Sequence, residues 1–311
     1  ASPTGTSKIR PVDFTFVPEL MPIPSGYTCV QIAITGLKGG HSGCDIHLGR
    51  GNALKEAVAL LANLEPDFDL VLIDILGGDK DNAIPREAFV RLAVQGEKVN
   101  ELRQRVNDFA ATRFNENDPG LKFELKETAM VDQVLKPDFA ALLVCALDAC
   151  PHGVMNESAE FPGVIETSTN LAAVKDVDGK IVVLTSQRSL VNKKREEITD
   201  TIIRHFAEFG ADSRVSSQYP GWTPHADSEI LQIAKAACKR QSGKEPEIVV
   251  IHAGLECGII GEKHPGVDMI SFGPDIIGPH APGERVSISS TVRCYDLLKD
   301  ILSHIPGKDV K

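Results

Sequence analysis

Residues 27–94 read YTCVQIAITGLKGGHSGCDIHLGRGNALKEAVALLANLEPDFDLVLIDILGGDKDNAIPREAFVRLAV. Residues 27–37 are β-prone and end at glycine, which predicts a strand. Leu54, Ala57, Val58, Leu61 and Leu64 recur at helical spacing after Gly51-Asn52, which predicts an amphipathic helix. DLVLIDIL (69–76) is a continuous apolar run suited to a strand buried on both faces. After the turn GGDKDN, AIPREAFVRLAV (83–94) predicts another strand, with Pro85 at its edge or start. A helical pattern at 97–114 and a strand pattern at 121–128 complete β-α-β-β-α-β, the ferredoxin-like split order.

Downstream, the pattern predicts a helix at 138–149 and strands at 163–175 and 180–190, joined by the turn Asp176-Val177-Asp178-Gly179. A helix at 193–209 and a strand at 213–218 follow. This second strand-strand-helix-strand set makes 27–218 one helix-covered sheet, with two fused halves as one reading of it, and without a clear internal sequence repeat. Residues 1–26, rich in Pro, Ser, Thr and Gly, read as an extended lead-in. After YPGWTPHADS, Ser228 suits the cap of a helix at 229–241. EIVVIH (247–252) and VDMISFGP (267–274) read as strands, AGLECGII as a turn or helix start, and 288–304 as a closing helix. This tail, 219–311, is an α/β pattern with too few strands to close a doubly wound sheet. The expected fold class is therefore α/β: an α+β lid, then the C-terminal part of a larger α/β domain.

The 311 residues carry 43 acidic and 33 basic side chains, a net charge of −10, which argues against a nucleic-acid partner. No apolar run approaches the ~20 residues of a membrane helix, and residues 1–11 lack a signal-peptide core. The chain begins with Ala rather than Met, which suggests processing or a missing upstream part. Seven cysteines at irregular spacing, with no C-x-x-C, read as a reduced, cytoplasmic protein.

His41 lies among glycines in GGHSG, where an exposed ring can serve as acid, ligand or oxyanion donor, or be a plain loop histidine. Asn82, at the mouth of a turn, can cap it or bind a carbonyl. Arg188 follows an apolar run and can pair with an acid or grip a carboxylate. In the tail, HAGLECG (252–258) brings Glu256 close to two glycines, and GPHAPGE (278–284) holds His280 in a rigid loop suited to a metal ligand. There is no H-E-x-x-H, G-x-S-x-G, P-loop or G-x-G-x-x-G.

Taken in order, ITGLKGGHSGCDIHLGRGNA, NAIPREAF, GVIETSTN, SQRSL, YPGW, HAGLECG and GPHAPGE resemble the aminoacyl-histidine (Xaa-His, carnosinase-like) dipeptidase branch of the M20 metallopeptidase family. The resemblance implies a catalytic α/β domain with two zinc ions and an inserted lid, often a dimerisation domain. Residues 27–218 would be the lid and 219–311 the C-terminal part of the catalytic domain. It implies that His41 donates to the oxyanion, in many relatives across a dimer, that Asn82 lies near the substrate, and that Arg188 grips the substrate's free carboxylate. It places Gly254 and Glu256 in the substrate pocket and makes His280 the last zinc ligand. The family's H-x-D motif and Glu-Glu pair lie upstream of the lid, and residues 1–26 contain no histidine. The expectation is thus a cytoplasmic, homodimeric zinc dipeptidase represented by a truncated chain. The alternatives are a non-catalytic remnant or an amidohydrolase acting on N-acyl amino acids.

Overall fold

The computed structural model describes residues 2–6, 8–64, 67–158, 163–216, 221–222, 227–251, 255–278 and 283–306. Its centre is a nine-stranded sheet: β1 (Lys8–Phe16), β2 (Tyr27–Thr35), β3 (Val71–Gly78), β4 (Ala88–Gln95), β5 (Lys122–Glu127), β6 (Gly153–Glu157), β7 (Ile165–Val177), β8 (Lys180–Ser189) and β9 (Asp212–Val215). The spatial order is β9-β1-β8-β7-β3-β4-β2-β5, with β6 also paired to β7. Four helices belong to it: α1 (Ala53–Leu64), α2 (Val99–Ala111), α3 (Pro137–Ala149) and α4 (Asn192–Glu208).

The sheet resolves into two units of the same topology. In chain order the first is β2-α1-β3-β4-α2-β5, and its strands lie as β3-β4-β2-β5 with antiparallel neighbours. The second is β1-α3-β7-β8-α4-β9, and its strands lie as β7-β8-β1-β9, again antiparallel. Both are the ferredoxin-like order expected for 27–128. The first strand of the second unit precedes the whole of the first unit. Residues 8–16 are therefore extended, as expected, yet they are an interior sheet strand rather than a lead-in.

Alternation explains which face each strand buries. On β2, Val30, Ile32 and Ile34 are buried while Gln31 and Ala33 are half-buried. On β1, Val12, Phe14 and Phe16 point under the helices, and Phe14 stacks on Phe206 of α4 with ring centroids 4.2 Å apart. β7 is buried over ten successive residues, 165–174, as befits a strand in the middle of a sheet. The expected strand at 83–94 is broken: Ala83–Ile84 pairs with Gly40–His41, and β4 begins only at Ala88. Pro85, which has no N–H, lies in the break.

The two units meet through β3 and β7, the second strand of each, in an antiparallel contact of two register pairs, Ala173 with Gly78 and Val174 with Gly77. Antiparallel pairing of equivalent strands relates the units by a local two-fold. At Gly78, φ is +68° and an added Cβ would lie 2.0 Å from the Ala172 carbonyl oxygen. Polar groups of α1 cross the same joint. Asn52 caps α1, its Oδ1 accepting from the Leu54 N–H at 2.9 Å, and donates through Nδ2 to the Leu171 carbonyl at 2.8 Å. Lys55 donates to the carbonyls of Leu147, Asp148 and Cys150 at 2.8, 2.6 and 2.5 Å, closing the C-terminus of α3. His152 Nδ1 accepts from the Leu171 N–H at 3.3 Å and lies 3.3 Å from Asn52 Nδ2. Burial, reinforced by nearby Lys55, pushes the His152 pKa down to about 4.

The tail adds α5 (Glu229–Ser242), α6 (Glu256–Lys263) and α7 (Ile288–Ser303). Ser228 caps α5, accepting from the Leu231 N–H at 3.0 Å, as its sequence position suggested. Ala234, Ala237 and Ile301 form a small core between α5 and α7. Ile248–Ile251 is a strand, and its ladder partner is Ser2–Thr6, in parallel. The strand expected at 267–274 does not form, since no strand among the described residues lies beside it to complete its hydrogen bonds. Ile288, Val292, Tyr295 and Leu302 leave an apolar stripe of α7 exposed.

Gly78→Ala is expected to cost more than about 2 kcal/mol of stability, from the left-handed φ plus the carbonyl clash. Gly179→Ala, at a similar φ with open space around it, is expected to cost about 1 kcal/mol. Urea midpoints of the two variants test the difference. His152 imposes a pH dependence of known sign. The unfolded histidine takes a proton near its ordinary 6.5, the folded one only near 4. Stability from the neutral ring is complete above 6.5 and is lost as pH falls through that window, by about 3 kcal/mol in all. His152→Gln is expected to flatten this part of the wild-type curve, measured by urea unfolding between pH 7 and pH 4.

Candidate active site

The glycine-rich connection after β2 and the turn before β4 are laced together. Gly40–His41 pairs antiparallel with Ala83–Ile84, and the Ser42 N–H donates to the Asn82 carbonyl at 2.8 Å. Inside the loop, the His41 N–H donates to Asp45 Oδ2 at 2.8 Å. Arg50 lies 3.5 Å from the same carboxylate oxygen and donates to the Gly39 carbonyl at 2.6 Å. Gly40 has φ +142°, and a Cβ there would fall 2.5 Å from Arg50 Nη1. The glycines of GGHSG therefore allow a close-packed loop rather than a loose one.

This packing decides the state of the imidazole. His41 Nδ1 accepts the backbone N–H groups of Gly43 at 3.1 Å and Cys44 at 3.0 Å. An acceptor Nδ1 places the proton of the neutral ring on Nε2, which makes Nε2–H a donor.

Arg188, near the end of β8, is the largest fully buried side chain, 1% exposed. Its Nη2 donates to Ser42 Oγ at 3.2 Å, while Nε and Nη1 have no partner. Burial lowers its pKa to about 10, opposed by the charge of Asp81 in the neighbouring turn, so the guanidinium stays charged at neutral pH. Asn170 of β7 holds that turn from below, donating through Nδ2 to the Ala83 carbonyl at 2.8 Å.

The structure thus brings together three of the residues singled out in the sequence. His41 and Asn82 come from the first unit and Arg188 from the second, with Ser42 bridging all three. Glu256 opens α6 in the tail and is exposed, with no contact described to this cluster. Gly254 and His280 lie outside the described residues, as does His252. A cavity of about 620 Å³ lies in the tail, lined by Trp222, Asp227, Glu229, Cys257, Glu262 and Met269 among others. None of His41, Asn82 and Arg188 lines it, and the convergent donors of the His41–Arg188 cluster mark that cluster as the better candidate for chemistry. Among the described residues no group of three or more His, Cys, Asp or Glu could hold a metal. Ser42, Asp45 and Asn170 are functional neighbours that sequence reasoning missed. Ser42 and Asp45 flank His41 as ordinary loop residues, and Asn170 reads as one more strand residue.

The chain is similar to known peptidases. Residues 32–118 match the peptidase dimerisation domain of the M20 peptidases. The chain is 38% identical over 293 residues to the cytosol non-specific dipeptidase of Escherichia coli, covering 92% of this chain and 60% of that protein. The crystal structure of aminoacylhistidine dipeptidase from Vibrio alginolyticus matches with a TM-score of 0.81 at 38% identity, covering 99% of this chain and 63% of that one. The chain is similar to M20 peptidases over nearly all of its own length. It spans about six-tenths of the length of both relatives. The M20 dimerisation domain coincides with most of the first unit, and the Vibrio match extends over both. Among the described residues no helix is long and apolar enough to cross a membrane.

The tautomer of His41 is directly measurable. Histidine-selective ¹⁵N NMR is expected to show an unprotonated Nδ1 and a protonated Nε2. Asp45→Ala, which removes the acceptor of the His41 N–H, is expected to mix the two tautomers. A protonated Nδ1 in the wild type would contradict the described loop geometry.

Proposed function

We propose that the chain is the lid (27–218, with β1 at 8–16 as one of its strands) and the C-terminal catalytic part (219–311) of a cytoplasmic dipeptidase that hydrolyses Xaa-His and related dipeptides. The observation that carries this reading is Arg188, a buried guanidinium with Nε and Nη1 unpaired. A buried guanidinium with N–H groups left unpaired is costly, and a carboxylate that accepts from it offsets that cost. The free C-terminus of a short peptide is such a carboxylate. Its capture fixes the distance from the chain end to the bond cleaved, which makes the enzyme an exopeptidase.

His41 then acts as an oxyanion donor. The peptide carbonyl gains negative charge as it becomes tetrahedral, and an N–H aimed at that oxygen lowers the barrier. Because Nδ1 is held by two backbone amides, Nε2–H can serve without a proton transfer at His41 itself. Asn82 contributes its amide to the backbone of the substrate. Glu256 and Gly254 are proposed to line the substrate pocket and His280 to be a zinc ligand. The described residues assemble no ligand set for the two zinc ions that the family resemblance implies, so no step is derived through them. The match to a dimerisation domain supports a homodimer. Within one chain it is Ser42, the neighbour of His41, that meets Arg188.

The test uses the complete protein with an Xaa-His dipeptide and with the same dipeptide carrying a C-terminal amide. Arg188→Gln is expected to lower kcat/KM for the free dipeptide by about 10²–10³-fold, the range for breaking a buried charged pair at a binding site. The amide is expected to be a poor substrate for the wild type and to be affected little by the substitution. Equal losses on both substrates would remove carboxylate recognition from Arg188.

A further inference from the structure

The opposite face of β8 ends in a second cationic cluster. Gln187 and Arg188 are neighbours on the strand, so their side chains leave opposite faces of the sheet. Gln187 is the register partner of Arg10 on β1, and Val12, Phe14 and Phe16 continue the Arg10 face beneath α4. The buried stripe of α4 runs Phe206, Ile202, Thr199, Arg195. At its C-terminal end this layer is apolar, with Phe206 on Phe14. At its N-terminal end it is Arg195 with Arg10 and Gln187.

This end of the layer is short of negative charge. Arg195 is 6% exposed, and the Nε atoms of Arg195 and Arg10 and the Oε1 of Gln187 are all buried without a partner. The two arginines are close enough that the charge of Arg10, after burial itself, pulls the Arg195 pKa down. The acid beside Arg195 is Glu196, 3.5 Å from Nη2 and more than half exposed. Glu166 is engaged by Lys194 at 2.5 Å. Gln187 Nε2 is spent on Thr185 at 2.8 Å, with Thr169 at 3.4 Å. Two guanidinium groups drawn together in a largely dry place repel each other unless an anion lies between them.

We propose that Arg10, Gln187 and Arg195 form a binding site for a small tetrahedral oxyanion of the phosphate class. Two of its oxygens accept from the arginine Nε–H groups. A protonated third oxygen donates to Gln187 Oε1, a match that an ionised carboxylate, which only accepts, does not offer. The site lies behind Arg188 on the same strand, so its occupant also braces the strand that carries the substrate arginine. Nothing in this assignment depends on the peptidase reading.

Thermal unfolding of the full chain tests it, in chloride, phosphate and acetate buffers matched in pH and ionic strength. The wild-type Tm is expected to rise by about 2 °C for each tenfold increase in inorganic phosphate above its dissociation constant, with no rise in acetate. Arg195→Gln is expected to lose this response. Gln187→Glu keeps both arginines and supplies an anion from within, so it is expected to raise Tm in chloride and to abolish the phosphate response. A wild type indifferent to phosphate overturns the proposal, as does a Gln187→Glu variant that responds like the wild type. An equal response to acetate overturns the assignment to phosphate chemistry.

Discussion

The two register pairs between β3 and β7 are the contact on which the rest of the molecule depends. Each ferredoxin-like unit ends at its second strand in an edge with unpaired N–H and C=O groups. Joining the two edges at Gly77–Gly78 and Ala173–Val174, with β6 pairing β7 at residues 165–169, produces one continuous sheet. The approach is close because Gly77 and Gly78 carry no side chain. A Cβ at Gly77 would fall 2.9 Å from the Ala88 Cβ, and one at Gly78 would run into the backbone of β7. So short a ladder is weak alone. Asn52 and Lys55 reinforce it by carrying donors from the first turn of α1 onto Leu171 and the end of α3.

The candidate site depends directly on that joint. Arg188 belongs to the second unit, whereas Ser42, His41 and Asn82 belong to the first, and a slip between β3 and β7 would separate them. The cost of burying Arg188 with two unpaired N–H groups is borne by the surrounding sheet. On the other face of the sheet, Val183, Leu171, Phe14 and Phe206 belong to one core shared by both units. Stability stored in the apolar layer thus holds a charged group in a position where it is unsatisfied until a carboxylate arrives. The same strand carries Gln187 on its other face, so β8 presents polar chemistry to both sides of the sheet.

Much of this was legible from residue order. β-Prone and continuous apolar runs, and helical spacing from Leu54 to Leu64, located the strands and helices of 27–128. His41, Asn82 and Arg188 were recognisable as candidates because each lies at the end of a strong local pattern. Patterns at 8–16 and 267–274 misled for related reasons. KIRPVDFTF has a proline and three charged residues, Lys8, Arg10 and Asp13, so it reads as a lead-in, yet β8 and β9 flank it on both sides. VDMISFGP reads as a buried strand and has no ladder partner among the described residues.

By itself the sequence determined the elements, the βαββαβ order of the first unit and the residue types available for chemistry. These follow from the backbone's short-range preferences and from which side chains leave water. Only the tertiary structure decided that the first strand of the second unit is separated from the rest of that unit by about a hundred residues of the other. It alone decided that Nδ1 of His41 is an acceptor, that Arg188 meets Ser42 across 146 positions of chain, and that Arg10 meets Arg195. Pairings over such separations are selected by sheet register and by the burial of whole faces. No local window of sequence contains both partners, so no local pattern can reveal them.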